Sequence, residues 1–324
     1  MQETSTSTAG REDLRGGHHA MKASAPSSAG LGCLRDYAYY KRVLSGQRLP
    51  AAFIDLDAFS ANLTSLGARA AGTPIRLVTK SVRSVSMLRR ALVAGPFEGL
   101  LCYSPAEAAW LAEQGFDDLV VAYPSVERAD VKAVAKQLRL GRSITLMVDS
   151  AAQVDRLGDF ARSEGVLLPV AIDLDMSSDF PGIHFGVHRS PIKGPDAAVA
   201  LADEIARRSS LRLDGLMGYE GQIAGLMDAV PNQSIRSWII RLLKRRSTDE
   251  VNTRRRLTVA ALARAGHSLR FVNGGGTGSF ETTLRDDSVT ELAAGSGLYA
   301  PTLFDHYEAF RLQPAAGFAL AVTR

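Results

Sequence analysis

The stretch Ile75-Arg76-Leu77-Val78-Thr79-Lys80 carries the strongest indication of this chain's fold and chemistry. A short apolar run ends at Val78, and Lys80 follows where the predicted strand stops and a loop begins. In a β/α barrel the carboxyl ends of the strands carry the reactive groups. A lysine walled by apolar strands loses hydration there, so its neutral amine can attack an aldehyde and form a Schiff base. The alternative is an ordinary exposed lysine at a strand end.

Short apolar runs alternate with helical stretches on both sides of Lys80. The predicted strands cover residues 51–56, 75–78, 99–103, 118–122, 143–148, 168–174, 213–219 and 269–273. The predicted helices cover residues 34–44, 59–71, 86–94, a stretch that opens at Pro105, 128–138, 151–164, 196–208 and 235–265. Nearly continuous apolar strands are typical of a parallel sheet covered by helices. Eight of them favour an α/β fold of the closed (β/α)8 TIM-like barrel type.

Composition changes divide the chain into three predicted parts. Residues 1–29 are rich in Ser, Thr, Ala and Gly, include His18 and His19, and are predicted to be a flexible tail. Residues 30–286 form the predicted barrel. In residues 287–324 the stretches 289–298 and 318–322 look like strands without helices between them. This last part is predicted to be an incomplete β segment, the start of a truncated C-terminal β domain.

Charge and composition exclude several classes of protein. The 324 residues are 46% hydrophobic with a net charge of +4. The basic runs 241–246 and 254–256 lack interleaved aromatic residues, which favours solvated helix faces over a nucleic-acid site. Cys33 and Cys102 form no CxxC pattern, so a reducing compartment fits better than a disulfide or zinc framework. No apolar run reaches about 18 residues and no signal core is present, which predicts a cytoplasmic protein without a membrane partner.

A glycine-rich motif directly follows the eighth predicted strand. Residues 274–279 read Gly-Gly-Gly-Thr-Gly-Ser, and Gly275, Gly276, Thr277 and Gly278 are the candidate phosphate ligands. Glycine allows positive φ and close backbone approach, so successive N–H groups can converge on an anion. Barrel enzymes often bind phosphate with the loops after strands seven and eight. The alternatives are a flexible turn or a nicotinamide site, and the absence of a following βαβ unit disfavours the latter.

Further candidate site residues lie after the sixth and seventh predicted strands. Tyr219 can contact a cofactor ring, and Glu220 is either a group of the barrel mouth or the structural partner of an arginine. Arg189 can hold a carboxylate or a cofactor oxygen with its planar fork. His184 and His188 are either acid/base groups or structural residues.

The end of the first predicted strand adds two carboxylates. Asp55 is a candidate cofactor ligand, whereas Asp57 is interpreted as a cap of the following helix. The combination of a lysine, a tyrosine, an arginine and a glycine loop suits a phosphorylated aldehyde. Pyridoxal 5'-phosphate is the economical candidate for the cofactor.

With these residues the sequence resembles the fold-type III pyridoxal-phosphate enzymes, which have an alanine-racemase-like N-terminal domain. It is most similar to the branch of D-threonine aldolase, D-serine dehydratase and amino acid deaminase/aldolase. Six segments carry the resemblance in order, from about residue 51 to 307: residues 53–57, 78–80, 172–175, 184–191, 218–221 and 274–278. Residues 294–299 resemble the segment that leaves the barrel of these enzymes.

The resemblance implies roles for the motif residues. Lys80 is the Schiff-base lysine, Arg189 lies near the phenolic oxygen of the cofactor, Tyr219 lies near its ring, and residues 275–278 surround its phosphate. His184 remains the candidate acid/base group. The implied activity is that of a lyase on D-3-hydroxy amino acids, which gives glycine and an aldehyde. Dehydration to a keto acid and ammonia, racemisation, or cofactor binding without catalysis are the alternatives.

The chain departs from that branch in one respect. There a C-terminal β domain supplies His and Cys or Asp ligands for a divalent metal, whereas no cysteine follows Cys102 and His306 is the last histidine here. We therefore expect no metal ligands within this chain and an activity impaired by truncation. The expected partner is a small D-amino acid, nucleic acid is not expected, and a homodimer is compatible with the resemblance.

Overall fold

A computed structural model describes residues 35–322. The predictions for the tail, including His18, His19 and Cys33, lie outside these residues. The chain divides after Gly46 into two compact units. In the first unit the helix α1 (Tyr37–Val43) begins at Asp36, whose carboxylate accepts a hydrogen bond from the Tyr39 backbone N–H at 2.8 Å. The predicted helix at 34–44 is therefore confirmed within the described residues.

The second unit contains a closed barrel of eight parallel strands. In barrel order these are β2 (Ile75–Val78), β3 (Phe97–Cys102), β4 (Leu119–Val121), β5 (Ile144–Val148), β6 (Leu168–Asp173), β9 (Leu211–Gly218), β10 (Phe271–Gly274) and β11 (Glu291–Ala294). The barrel closes between β11 and β2, where Leu292 lies opposite Ile75. The predicted barrel is thus confirmed.

Helices connect these strands. The longer ones are α2 (Leu56–Arg69), α4 (Val85–Leu92), α5 (Pro105–Glu113), α6 (Arg128–Arg139), α7 (Ala151–Glu164), α8 (Pro195–Ala206) and α10 (Ser234–Arg264). The short ones are α3 (Thr79–Val82), α9 (Gly221–Ala224), α11 (Phe280–Thr283), α12 (Ser296–Tyr299) and a 3-10 turn at Thr302–Phe304. Among the described residues no helix combines the length and apolar character needed to cross a bilayer. The cytoplasmic location stays a prediction.

Two strand assignments made from the sequence are wrong. The first predicted strand, β1 (Ala51–Ile54), lies outside the barrel and pairs antiparallel with β12 (Ala316–Ala319). The eighth barrel strand is instead β11, which the sequence analysis placed in a separate β segment. It begins with the charged Glu291, and that carboxylate is buried because Arg76 on the neighbouring strand pairs with it at 2.6 Å. The barrel therefore extends beyond residue 286.

The barrel interior is filled by one side chain from each of seven strands. This cluster contains Leu101, Val120, Met147, Ala171, Met217, Phe271 and Ala293, together with Ala122 after β4. A much larger apolar cluster packs the helices against the outside of the strands. The small hairpin β7 (Ser178–Phe180) and β8 (Ile183–Phe185) is inserted between β6 and α8 and was not predicted. The interior cluster forms the floor beneath the carboxyl ends of the strands.

The basic runs on α10 are not simply solvated faces, contrary to the sequence interpretation. Lys244 is buried and pairs with Asp228 at 2.7 Å. Arg255 is fully buried and pairs with both Glu220 and Asp286. A buried charge is tolerated only when it is paired and hydrogen-bonded. Part of the basic excess therefore forms internal ion pairs.

Candidate active site

A cavity of about 170 Å³ opens at the carboxyl ends of the barrel strands. Its wall includes six of the residues selected from the sequence: Lys80, Arg189, Tyr219, Gly275, Gly276 and Thr277. They come from widely separated parts of the chain, and the strand ends of one barrel bring them together. This end of the barrel is where such folds carry their reactive groups.

Lys80 lies on the short helix α3, which directly continues β2, rather than in the expected loop. The helix is held by Thr79, whose hydroxyl donates to the Glu107 carboxylate at 2.9 Å. Lys80 is exposed, so the loss of hydration expected from the sequence is not observed. Its Nζ instead donates a hydrogen bond to Tyr123 Oη at 3.0 Å. The amine is therefore presented to the cavity in a defined position.

Arg189 is held by a buried carboxylate. Its Nε lies 2.8 Å and 3.0 Å from the two oxygens of Asp173, which is fully buried at the end of β6. Its Nη2 also donates to the carbonyl of Ala122. Burial raises the pKa of Asp173 to about 7, although the Arg189 charge opposes this shift. The guanidinium is thus fixed on one side and lines the cavity with the other.

Tyr123 is a cavity residue that the sequence analysis missed. It follows β4 and lies between two cations, with the Arg189 Cζ 4.7 Å from its ring centre. Burial opposes ionisation of the phenol, but the hydrogen bond from Lys80 and the charges of Lys80 and Arg189 outweigh it and lower its pKa. The signal available in the sequence was a tyrosine directly after the predicted barrel strand at residues 118–122.

Tyr219 lies on the cavity wall, whereas the neighbouring Glu220 points into a buried network. Burial and the Glu220 charge raise the pKa of Tyr219, so its phenol stays neutral. Glu220 accepts hydrogen bonds from Arg255 at 3.1 Å and from the Gly275 N–H at 3.1 Å. It also accepts one from the Thr283 hydroxyl. Of the two interpretations of Glu220, the structure supports the arginine partner.

The glycine motif forms a tight loop against the cavity. Gly275 has a φ of +78°, which a side chain would strain. A Cβ on Gly276 would lie 3.0 Å from Ala224 Cβ and 3.1 Å from Tyr219 Cε2. The Thr277 carbonyl accepts from Arg69 Nη2 at 2.7 Å, and its hydroxyl accepts from the Gly297 N–H at 3.2 Å. Arg69 and Gly297 thus hold the loop through hydrogen bonds to Thr277. At Gly276 the neighbouring Ala224 and Tyr219 leave no room for a side chain.

Three predicted site residues do not line the cavity. His184 is on β8, where its ring stacks on His188 at 3.7 Å and its Nδ1 lies 2.7 Å from Asp179 Oδ1. Asp55 begins α2, where its carboxylate accepts from the Asp57 and Ala58 N–H groups. The helix cap is therefore Asp55 and not Asp57. Gly278 lies behind the loop, where the Ala224 carbonyl and the Tyr307 ring leave no room for a side chain.

No group of three or more His, Cys, Asp or Glu side chains within residues 35–322 is arranged to hold a metal ion. Cys102 lines the cavity, and burial raises the pKa of its thiol. Beside this thiol, the cavity wall carries the amine of Lys80, the phenols of Tyr103, Tyr123 and Tyr219, and the guanidinium of Arg189.

Comparison with known proteins identifies the family. The family model described as "Alanine racemase, N-terminal domain" matches residues 54–302. The chain therefore belongs to this family, which confirms the resemblance found in the sequence. A D-threonine aldolase structure from Filomicrobium marinum superimposes with a TM-score of 0.71 at 23% identity, covering 84% of this chain and 68% of that one.

Two characterised relatives are similar in sequence. A 3-hydroxy-D-aspartate aldolase of Paracoccus denitrificans is 26% identical over 249 residues, which is 76% of this chain and 59% of the relative. A D-threo-3-hydroxyaspartate dehydratase of Delftia sp. is also 26% identical over 249 residues, covering 76% and 60%. The chain thus spans about 60% of the length of these relatives.

Proposed function

We propose that this member of the alanine racemase N-terminal domain family is a pyridoxal-phosphate-dependent lyase of D-3-hydroxy amino acids. The proposed reaction is retro-aldol cleavage to glycine and an aldehyde. The observation that carries the proposal is the convergence of Lys80, Arg189, Tyr219 and the 275–277 loop on one cavity. An aldehyde cofactor with a phosphate needs an amine that binds its aldehyde and a loop that binds its phosphate.

The residues present fit that cofactor. A Cβ at Gly276 would crowd Ala224 and Tyr219, so the glycine lets the loop backbone lie directly against the cavity wall. Among the described residues the Thr277 backbone N–H has no protein acceptor, which leaves a donor for an anion. Within residues 35–322, Lys80 is the only lysine on the cavity wall. These three features match the phosphate and the aldehyde.

The bound cofactor would supply an electron-withdrawing ring that lowers the cost of breaking a bond to Cα. The protein's own contribution is to position the reactants. Arg189, fixed by Asp173, would orient the phenolic oxygen of the cofactor, and Tyr219 would contact its ring. Lys80 would supply the amine that binds the aldehyde of the cofactor. The apolar floor of the barrel would exclude water from beneath the ring.

The choice of a lyase rests on the relatives. The 3-hydroxy-D-aspartate aldolase and the dehydratase are equally identical to this chain, at 26%. The dehydratase favours a second candidate function, loss of the β-hydroxyl to give a keto acid and ammonia. Because the chain spans only about 60% of the length of these relatives, a divalent metal and a homodimer stay proposals here.

Product analysis with D-threonine tests the function. The purified chain is incubated with pyridoxal phosphate, with and without Mn²⁺, and L-threonine serves as the matched control. We expect glycine and acetaldehyde from the D-enantiomer only. Formation of 2-oxobutanoate and ammonia would instead establish the dehydratase, and formation of L-allo-threonine, by inversion at Cα alone, a racemase. Bound cofactor without any product would identify a non-catalytic binding protein and overturn the lyase proposal.

A further inference from the structure

Tyr123 occupies a place beside Lys80 that the proposed function leaves unexplained. The Lys80 Nζ donates to Tyr123 Oη at 3.0 Å, and the ammonium lies 5.5 Å from the centre of the phenol ring. No other hydrogen-bond partner of Lys80 Nζ occurs within residues 35–322. The oxygen of Tyr123 is therefore the protein atom best placed to receive a proton from this amine.

The surroundings of Tyr123 stabilise its anionic form more than water does. Arg189 lies over its ring at 4.7 Å, and Tyr103 contacts it edge to face at 5.3 Å. The four titratable groups that face it are Lys80, Arg189, Tyr103 and Tyr219. Two of these are cations and two are phenols. A phenol between two cations ionises more easily than one in water, which agrees with the lowered pKa of Tyr123.

We propose that Tyr123 is a catalytic residue that exchanges a proton with Lys80. The Nζ–H bond of the ammonium breaks, its proton passes to the phenolate oxygen, and the nitrogen keeps the electron pair that attacks a carbonyl carbon. The reverse transfer restores the ammonium when the amine is displaced. The pair has the same total charge before and after, so no external acid or base is consumed. The inference rests on the proposed function only in taking Lys80 as the reacting amine.

A phenol titration tests whether the two groups are coupled. The pH dependence of phenolate absorbance is compared between wild type and Tyr123→Phe, both without cofactor. The difference between the two titration curves is the titration of Tyr123. We expect its midpoint below about pH 10, the ordinary tyrosine value. When both proteins also carry Lys80→Met, we expect the midpoint of the Tyr123 titration to move to higher pH. An equal midpoint with and without Lys80 would overturn the proposal.

The rate at which Lys80 reacts with an aldehyde tests whether Tyr123 assists this amine. Cofactor-free protein is treated with propionaldehyde and cyanoborohydride near neutral pH, and alkylation of Lys80 is followed by peptide mass mapping. We expect Tyr123→Phe to slow this alkylation about 100-fold, the smaller end of the range for general acid–base catalysis. Tyr37→Phe, an exposed tyrosine on α1, is the matched control.

An unchanged rate in Tyr123→Phe would refute the transfer. Neither measurement uses pyridoxal phosphate or an amino acid. A negative result here therefore differs from a failure of the proposed function, which appears as missing products from D-threonine.

Discussion

The Arg255 guanidinium and the Glu220 carboxylate form an ion pair at 3.1 Å, with side chains that are 0% and 1% exposed. The same carboxylate accepts the N–H of Gly275, and Arg255 also pairs with Asp286 at 3.0 Å. The long helix α10 is thereby joined to the loop after β10. The position of the proposed phosphate loop depends on a charge buried outside the cavity.

Replacing Glu220 with glutamine leaves Arg255 with one carboxylate fewer in a fully buried site. Breaking a buried pair costs about 3–5 kcal/mol, so we expect a loss of this order in the free energy of unfolding. Urea denaturation measures it. The matched control is Glu113→Gln, which breaks the exposed pair with Lys136 and is expected to cost under about 1 kcal/mol. Equal losses in the two variants would show that the buried pair does not stabilise the fold.

Gly276→Ala places a methyl group 3.0 Å from Ala224 and 3.1 Å from Tyr219. We expect the fold to persist and the affinity for pyridoxal phosphate to fall by about tenfold or more, since the methyl crowds these two residues and displaces the proposed phosphate loop. Gly194→Ala is the control, because a Cβ there meets no atom within 4 Å. Fluorescence titration with the cofactor gives both affinities. Wild-type affinity in Gly276→Ala would place the phosphate elsewhere.

The raised pKa of Asp173, about 7, predicts a pH-dependent stability. The folded state holds this proton more tightly than the unfolded state, whose aspartate titrates near 4. The stabilisation of the folded state by protonated Asp173 is complete below about pH 4 and is lost as pH rises through about 7. The free energy of unfolding therefore falls between these two pH values.

Asp173→Asn removes that titration. Between about pH 5 and pH 8 we expect the wild type to lose up to about 3 kcal/mol more than the variant. The variant leaves Arg189 without its carboxylate and is therefore less stable at every pH. The informative quantity is the slope of the free energy of unfolding against pH, compared between the variant and the wild type. Parallel slopes in urea denaturation would contradict the assignment of a raised pKa to Asp173.

Lys80→Ala removes the only lysine amine described on the cavity wall. We expect the visible absorbance of lysine-bound pyridoxal phosphate to disappear and borohydride to fix no cofactor on this peptide, while circular dichroism stays unchanged. Lys136→Ala, which changes an exposed lysine on α6, keeps both signals. Cofactor fixed on another peptide in the Lys80→Ala protein would show that the lysine was wrongly assigned.

Most of the barrel could be predicted because its strands are short, apolar and regularly followed by amphipathic helices. Seven of the eight barrel strands carry that pattern. β11 does not, since it begins with Glu291, and its burial depends on Arg76 from a strand more than 200 positions earlier in the sequence. β1 carries the pattern but pairs with β12, and Ala52 in its middle is exposed. An apolar run indicates a strand and does not specify its partner.

The sequence by itself determined the fold class and six residues of the cavity wall, because strand ends and glycine motifs are local features with local physical causes. Only the tertiary structure decided which polar groups meet. It placed His184 outside the cavity, made Asp55 a helix cap and set Tyr123 against Lys80. The contact between Lys80 and Tyr123 joins residues 43 positions apart and exists only once the barrel has closed. His184 and Asp55 contact near neighbours in the chain, but their distance from the cavity is likewise set by the closed barrel.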